Sequence, residues 1–164
     1  MKIIICILFL PSFIMAQKDF KRVLKQYNDE NIPYITVQEL QEDLKHNNFI
    51  TILDARQIKE YQISHLGNAI YVGFKDFDIE ATKDRLPKKN KIIVVYCSIG
   101  VRSEKIAKKL KNAGYTNVKN LYGGIFEWKN QGYEVYNLQS QPTDSVHTYN
   151  KKWSHYLHQG IKVY

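Results

Sequence analysis

One short segment of the chain combines a thiol, a guanidinium and a serine hydroxyl: Cys97-Ser98-Ile99-Gly100-Val101-Arg102-Ser103. It follows the apolar run 92–96 and precedes a stretch with helical periodicity, so the thiol lies between a buried strand and a helix. Backbone N–H groups converge at a helix N-terminus, where the helix dipole adds positive potential. Both effects favour a thiolate, and Arg102 adds a permanent positive charge. The pattern therefore predicts a nucleophilic sulfur beside an anion-binding loop.

The composition limits the class of protein. At 164 residues, with 44% hydrophobic and 24% charged residues, the chain is long enough for one globular domain and some additional segments. A net charge of +8 suggests nucleic-acid binding. The lysines are dispersed, however, and no aromatic–basic stacking motif occurs, so we expect no nucleic-acid partner. The positive surface is then either a solvated face or a field that attracts small anions.

The first 16 residues have the pattern of a secretory signal peptide. Lys2 precedes the apolar stretch 3–14, and Ala16 offers a small residue for cleavage before Gln17. The stretch is short for a transmembrane span. An uncleaved anchor and a buried first strand are the alternatives. We expect an exported, periplasmic protein with no stable membrane insertion once residues 1–16 are removed.

Removal of that segment leaves a single thiol. The sequence has two cysteines, Cys6 and Cys97, and cleavage removes Cys6. An oxidising compartment converts paired cysteines into disulfides, which a lone cysteine cannot form within its own chain. Such a cysteine is either a reactive thiol or an intermolecular partner, and the loop around Cys97 favours the reactive thiol.

Hydrophobic periodicity predicts short strands that alternate with helices. The strands are expected at residues 49–53, 69–72, 92–96 and 118–121. Helices are expected between them and at both ends of the series: 36–46, 57–62, 74–84, a helix from the cysteine loop to Ala113, and one opened by Gly123-Gly124. Thr36 and Glu39 form a capping-box pattern at the first of these helices. The alternation predicts an α/β fold with a parallel sheet covered on both sides.

Two segments flank this core. Residues 17–35 are predicted to form an N-terminal helical lead-in, and residues 137–164 a polar linker followed by a docking helix. Trp153, Tyr156 and Leu157 have helical spacing, with Gly160 as a stop. We favour a core-facing aromatic stripe over a partner-binding one.

The motifs together resemble those of single-domain rhodanese-like sulfurtransferases. The family's Cys-x-x-Gly-x-Arg-Ser loop matches residues 97–103, and its Gly-Gly-x-x-x-Trp element matches residues 123–128. Its leucine–aspartate element, with the residues that follow it, is present as Leu53-Asp54-Ala55-Arg56, Glu60-Tyr61 and His65. One turn departs from the family, since Leu66-Gly67-Asn68-Ala69 stands where Ile-Pro-Gly-Ala is usual. The resemblance covers residues 36–136 and implies a central parallel sheet of about five strands with helices on both faces.

The resemblance also implies a reaction that uses no metal or organic cofactor. The thiolate of Cys97 takes the outer sulfur of thiosulfate or a similar small anionic donor, and the persulfide passes it to a thiol or cyanide. Arg102 and the other residues of the loop would bind the donor's negative charge: Ser98, Ile99, Gly100, Val101 and Ser103. Ser103 is also placed to cap the following helix. Structural support of the site is expected from Asp54, Arg56, Glu60 and His65.

Two other functions remain open. Cysteine phosphatases and arsenate reductases also bracket an anion-binding loop with a cysteine and an arginine. Their pattern has five intervening residues, whereas this chain has four, Ser98 to Val101, and the tighter loop suits a single sulfur better. The second alternative is a non-enzymatic persulfide carrier or regulatory binding module on the same scaffold, since a fold does not determine a function. The presence of both Cys97 and Arg102 argues against such a module.

Overall fold

The computed structural model describes residues 21–28, 31–46 and 49–164. The signal peptide predicted at residues 1–16, with Cys6, lies outside the described residues. Within the described residues, no helix combines the length and apolarity that a membrane span requires. Export and a periplasmic location therefore stay predictions.

Five parallel strands form a central sheet, which confirms the predicted fold class. Four of them lie at or within two residues of the predicted runs, and the fifth lies inside the segment predicted as a helical lead-in. Their bounds are Tyr34–Ile35 (β1), Thr51–Asp54 (β2), Ile70–Tyr71 (β3), Ile93–Tyr96 (β4) and Val118–Leu121 (β5). The spatial order is β1-β5-β4-β2-β3, so β4 lies at the centre.

Helices cover both faces of this sheet, as predicted. The helices are α1 (residues 21–27), α2 (Val37–His46), α3 (Ile58–Ile63), α4 (Ile79–Thr82), α5 (Val101–Asn112), α6 (Gly124–Asn130) and α7 (Lys151–Ser154). The capping box predicted at α2 is confirmed. The Thr36 N–H donates to the Glu39 carboxylate at 2.8 Å, and the Glu39 N–H donates to Thr36 Oγ1 at 3.2 Å.

The central strand β4 is buried on both faces because its side chains alternate between two apolar clusters. Ile93 and Val95 pack with the inner face of α5. Val94 and Tyr96 pack with α2 and α6 on the opposite face. All four residues are 0% exposed. The end of β4, and Cys97 after it, is therefore held from two sides.

Strands β2 and β4 end together at one edge of the sheet. Their register pairs Leu53 with Val95 and Asp54 with Tyr96. The carboxyl ends of parallel strands are the usual location of sites in α/β folds. This register places the aspartate motif and the cysteine loop side by side, although 43 positions separate Asp54 from Cys97 in the sequence.

The turn that departs from the family pattern uses its asparagine in place of a glycine. Asn68 has a φ of +58°, a left-handed conformation that asparagine adopts more readily than most residues. The Ala69 N–H donates to the Leu66 carbonyl at 3.1 Å and closes the turn.

The C-terminal segment differs from the predicted linker and docking helix. Strand β6 (Val135–Tyr136) pairs with β7 (Pro142–Thr143), and β8 (Ser145–His147) pairs with β9 (Ile161–Val163). Only the four residues of α7 are helical. The core-facing interpretation of the stripe is nevertheless right, because Tyr156 and Leu157 are buried in the main core beyond the end of α7.

Helix α6 docks its N-terminus directly onto the cysteine loop. The N–H groups of Ile125 and Phe126 donate to the carbonyls of Cys97 and Ser98 at 2.9 and 3.1 Å. Gly124 permits this approach, because a Cβ built at this position would lie 2.3 Å from the Cys97 carbonyl oxygen. Its φ of +57° also favours glycine. The Gly-Gly element therefore positions the reactive loop.

We predict that Gly124→Ala lowers the free energy of unfolding far more than Gly132→Ala. Gly132 has a similar φ of +82°, but a Cβ there meets nothing within 4 Å. The control variant therefore pays only for the left-handed conformation, about 1–2 kcal/mol. Gly124→Ala adds the displacement of the loop backbone, about 1–3 kcal/mol more. Urea denaturation measures both values, and equal losses would show that the close approach carries no energy.

Candidate active site

The thiol of Cys97 lies at the floor of a cavity of about 240 Å³, in the interval between β4 and α5 that the sequence predicts. Cys97 as a whole residue is only 1% exposed to solvent. The loop curls back on itself at Gly100, whose φ is +108°, and the Gly100 N–H donates to Cys97 Sγ at 3.2 Å. The turn thus aims a backbone donor at the sulfur.

The pKa of Cys97 is lowered although the thiol is buried. Burial alone raises this pKa, because it disfavours the charged form. The positive charge of Arg102 and hydrogen bonds from Ser103 and the Gly100 N–H lower it and prevail. The site therefore favours a thiolate that is largely shielded from solvent.

Ser103 occupies a different place from the helix cap that the sequence predicts. Helix α5 begins at Val101 with Gly100 as its N-cap, so Ser103 lies inside the first turn. Its Oγ is 2.7 Å from Asn120 Oδ1 and 3.5 Å from Cys97 Sγ. A hydroxyl carries one proton, so it can donate to only one of these acceptors at a time. The shorter distance favours Asn120 until a negative charge on sulfur competes for the proton.

Asn120 is a site residue that the sequence interpretation missed. It is fully buried on β5, and its Nδ2 donates to the Gly100 carbonyl at 2.8 Å. The side chain therefore fixes both the loop and Ser103. Its signal in the sequence was an amide two positions after Val118, which the alternation of a strand places on the same face as that apolar residue.

Arg102 forms a bidentate ion pair with Glu60. Its Nη1 donates to Glu60 Oε2 at 2.6 Å, and its Nη2 donates to Oε1 at 2.7 Å. Ser98 Oγ joins the pair, donating to Oε1 at 3.0 Å and accepting from Nη2 at 2.9 Å. The end of the guanidinium fork thus faces Glu60. In this arrangement it contributes charge to the cavity, and the fork is not directed at a substrate.

The pKa of Glu60 is lowered by the same contacts. The residue is only 1% exposed, and this burial raises the pKa. Hydrogen bonds and charge from Arg102 outweigh the burial, with a further contribution from Arg56. Glu60 therefore stays ionised under the site.

The other predicted support residues lie behind the cavity. Arg56 is fully buried and donates to both carboxylate oxygens of Asp54, which also accepts the Tyr96 hydroxyl. Arg56 Nη2 reaches the Ser64 carbonyl as well, which ties β2 to the end of α3. His65 stacks on the Tyr61 ring at 4.2 Å and is in hydrogen-bond contact with its carbonyl.

The cavity brings together five of the predicted site residues: Cys97, Ser98, Ile99, Val101 and Arg102. Gly100 and Ser103 shape the loop beneath it. The lining also includes six residues that were not predicted as site residues: Gln57, Phe74, Lys75, Lys105, Tyr149 and Trp153. Tyr149 and Trp153 belong to the C-terminal segment, and nothing in their local sequence connects them to the cysteine loop. In the described part of the chain, no group of three or more His, Cys, Asp or Glu side chains is arranged to hold a metal ion.

Comparison with known proteins identifies a domain family. A family model for the rhodanese-like domain matches residues 36–131. The tRNA uridine(34) hydroxylase of Aster yellows witches'-broom phytoplasma is 37% identical over 98 residues, which are 58% of this chain and 32% of that protein. A candidate sulfur carrier protein of Bacillus subtilis is 27% identical over 101 residues, which are 62% of this chain and 53% of that protein. The chain thus spans about a third of the hydroxylase and about half of the carrier.

Solved structures show the same fold. A Bacillus halodurans protein superposes with a TM-score of 0.59 at 28% identity, covering 71% of this chain and 85% of that one. The thiosulfate sulfurtransferase of Pseudomonas aeruginosa gives a TM-score of 0.60 at 24% identity, covering 77% of this chain and 23% of that one. At that identity the second likeness concerns the fold alone.

We predict that neutralising the ion pair with Glu60→Gln and Arg102→Gln together raises the pKa of Cys97 by about one unit, because an opposite charge that stabilised the thiolate is lost. The double variant places a neutral amide on each side, which avoids an unpaired buried charge. The rate of alkylation by iodoacetamide as a function of pH measures this pKa. The matched control is Lys105→Gln, which removes an exposed cation from the rim. An equal shift in the control would assign the effect to general charge instead of to Arg102.

The Glu60 pair also predicts a pH dependence of stability. Because the folded state lowers the pKa of Glu60, the pair contributes fully above the unfolded value of about 4.3. The contribution is lost as the pH falls through the lower folded value. Below pH 4.3 the wild type should lose up to about 1.4 kcal/mol per pH unit more than the double glutamine variant. Parallel urea titrations at pH 3 to 7 measure both curves, and superimposable slopes would contradict the prediction.

Proposed function

The chain belongs to the family of rhodanese-like domain proteins, and on that premise we propose that it is a sulfurtransferase that carries a sulfane sulfur on Cys97. The observation that supports this most directly is the sulfur at the cavity floor, with the Gly100 N–H aimed at it and the Arg102 charge beside it. A nucleophile that attacks an anion has to be ionised and has to tolerate the approaching negative charge. The lowered pKa of Cys97 supports the first need, and the positive charge of Arg102 supports the second.

The first half of the cycle loads the cysteine. The thiolate of Cys97 attacks the outer sulfur of thiosulfate, a new S–S bond forms, and the old S–S bond breaks with its electron pair leaving on sulfite. Cys97–S⁻ and S–SO₃²⁻ thus become Cys97–S–S⁻ and SO₃²⁻, with no proton or oxidant needed. The loop N–H groups and the Arg102 charge stabilise the anion on the persulfide.

The second half unloads it. Cyanide or a thiolate attacks the terminal sulfur of the persulfide, and the thiolate of Cys97 leaves. With cyanide the products are thiocyanate and the free enzyme. The lowered pKa of Cys97 assists this step as well, because it makes the thiolate a better leaving group.

A non-enzymatic sulfur carrier is the second candidate. The named function of the Bacillus subtilis relative favours it. A carrier would load Cys97 in the same way but would release the sulfur only to a dedicated partner. The chain matches only about a third of the hydroxylase relative, so tRNA hydroxylation is not part of the proposal. The proposal also includes export of the protein to the periplasm. It includes small anionic molecules as sulfur donors and thiols or cyanide as acceptors.

The expected activity is thiosulfate-dependent formation of thiocyanate, abolished in Cys97→Ser. A serine alkoxide is not available at neutral pH, so the variant should fall at least a thousandfold, to the rate of the buffer. Colorimetric detection of thiocyanate measures this, with hydrolysis of a phosphate ester assayed in parallel. Ester hydrolysis without thiocyanate would contradict the proposal in favour of a phosphatase. Loading of Cys97 without thiocyanate turnover would favour the carrier.

A further inference from the structure

Part of the cavity wall comes from outside the matched family region. Tyr149 and Trp153 line the cavity, and both lie beyond residue 131, where the family model ends. Strand β8 brings them there, because it packs against α3, the helix that carries Glu60. The C-terminal segment is thus part of the site.

Three features of the structure define the position of Tyr149. Its φ of +66° is a left-handed conformation that a tyrosine rarely adopts. Its N–H donates to His147 Nδ1 at 3.0 Å, and burial lowers the pKa of His147, which keeps this ring a neutral acceptor. Its ring lies 5.1 Å from the Arg102 guanidinium carbon. The aromatic face therefore covers the cation beside the sulfur.

Trp153 is positioned from two sides. Its backbone N–H donates to the side-chain oxygen of Asn150, the N-cap of α7, at 3.2 Å. The ring meets Tyr27 of α1 edge to face at 6.3 Å. In the same N-terminal segment, Asn28 donates to the Gly100 carbonyl at 3.2 Å. Segments before and after the family region therefore close around the cysteine loop together.

The cavity is larger and more apolar than an inorganic donor requires. Its volume is about 240 Å³, whereas thiosulfate has only five atoms. A cavity of about 150 Å³ already accommodates benzene. Three aromatic and two aliphatic side chains line it: Phe74, Tyr149, Trp153, Ile99 and Val101. Three cations also line it: Lys75, Arg102 and Lys105. This combination suits an anion that carries an apolar group.

We propose that Tyr149 and Trp153 select donors in which the sulfonyl group that carries the sulfane sulfur also bears an apolar organic group, in preference to inorganic thiosulfate. The inference rests on the sulfurtransferase function proposed above. For a thiosulfonate R–SO₂–S⁻, the thiolate of Cys97 attacks the outer sulfur, and the bond to the sulfonyl sulfur breaks. The electron pair leaves with the sulfinate R–SO₂⁻, so Cys97–S–S⁻ forms without a proton or an oxidant. The organic group R meanwhile packs on the aromatic wall.

Alkanethiosulfonates of increasing length test this on the unmodified protein. The leaving sulfinates in the series from methane- to butanethiosulfonate have similar reactivity, so kcat/KM reports the binding of the alkyl group. We expect kcat/KM to rise by up to about fourfold for each methylene that the wall buries. A flat or falling series would overturn the inference.

Variants locate the effect. We expect Trp153→Ala and Tyr149→Ala each to lower kcat/KM for butanethiosulfonate about tenfold more than they lower it for thiosulfate. The matched control is Tyr164→Ala, which removes an exposed aromatic ring at the end of the same segment. In this control the ratio of kcat/KM for butanethiosulfonate to kcat/KM for thiosulfate should equal that of the wild type. Thermal unfolding confirms that each variant is folded.

The outcomes separate this inference from the function on which it rests. If thiosulfate and butanethiosulfonate both fail to load Cys97, the sulfurtransferase function itself is wrong. If both donors load it and their ratio is the same in the wild type, Trp153→Ala and Tyr149→Ala, the function stands and the role of the wall is wrong. If the ratio falls in these two variants and not in Tyr164→Ala, the wall selects the donor.

Discussion

The Glu60–Arg102 ion pair is the constraint on which the reactive loop depends. It joins α3 to the first turn of α5 across the end of the sheet, with two short hydrogen bonds and Ser98 as a third member. Such a buried pair costs desolvation energy, and its stabilising value is small compared with the cost of breaking it, about 3–5 kcal/mol when one partner is removed. Its main consequence is geometric. It holds a cation beside Cys97 and fixes the direction of the guanidinium fork, which faces the Glu60 carboxylate.

The loop is positioned from every side by contacts of different kinds. The two apolar clusters fix β4. Two N–H groups of α6 donate hydrogen bonds to loop carbonyls, and the Asn120 amide donates to a third carbonyl, that of Gly100. These contacts use the carbonyl groups, which leaves N–H groups to turn towards the sulfur. That division explains how a thiol that is 1% exposed has a lowered pKa, since fixed donors replace the solvent that burial removes.

The sequence was sufficient for the parts of the site that are local in the chain. Strand β4, the curl at Gly100 and the Asp54–Arg56 element follow from apolar runs, glycine placement and motif spacing. Contacts between residues far apart in the chain could not be predicted, because no sequence pattern near Glu60 indicates Arg102 as its partner. Ser103, predicted as a helix cap, instead donates a hydrogen bond to Asn120 on β5. The C-terminal segment was predicted least well. Its strands are two or three residues long, too short for periodicity to show, and the left-handed Tyr149 has no sequence signal of its own.

Cys97 accordingly combines burial with a lowered pKa, and it lies against a cavity of about 240 Å³. A persulfide on this residue is the species that the proposed function requires. Mass spectrometry of the purified protein after treatment with thiosulfate or an organic thiosulfonate detects it directly. We expect a gain of one sulfur atom on the peptide that contains Cys97, reversed by cyanide. A protein that gains no sulfur at Cys97 from either donor would contradict the mechanism derived from this site.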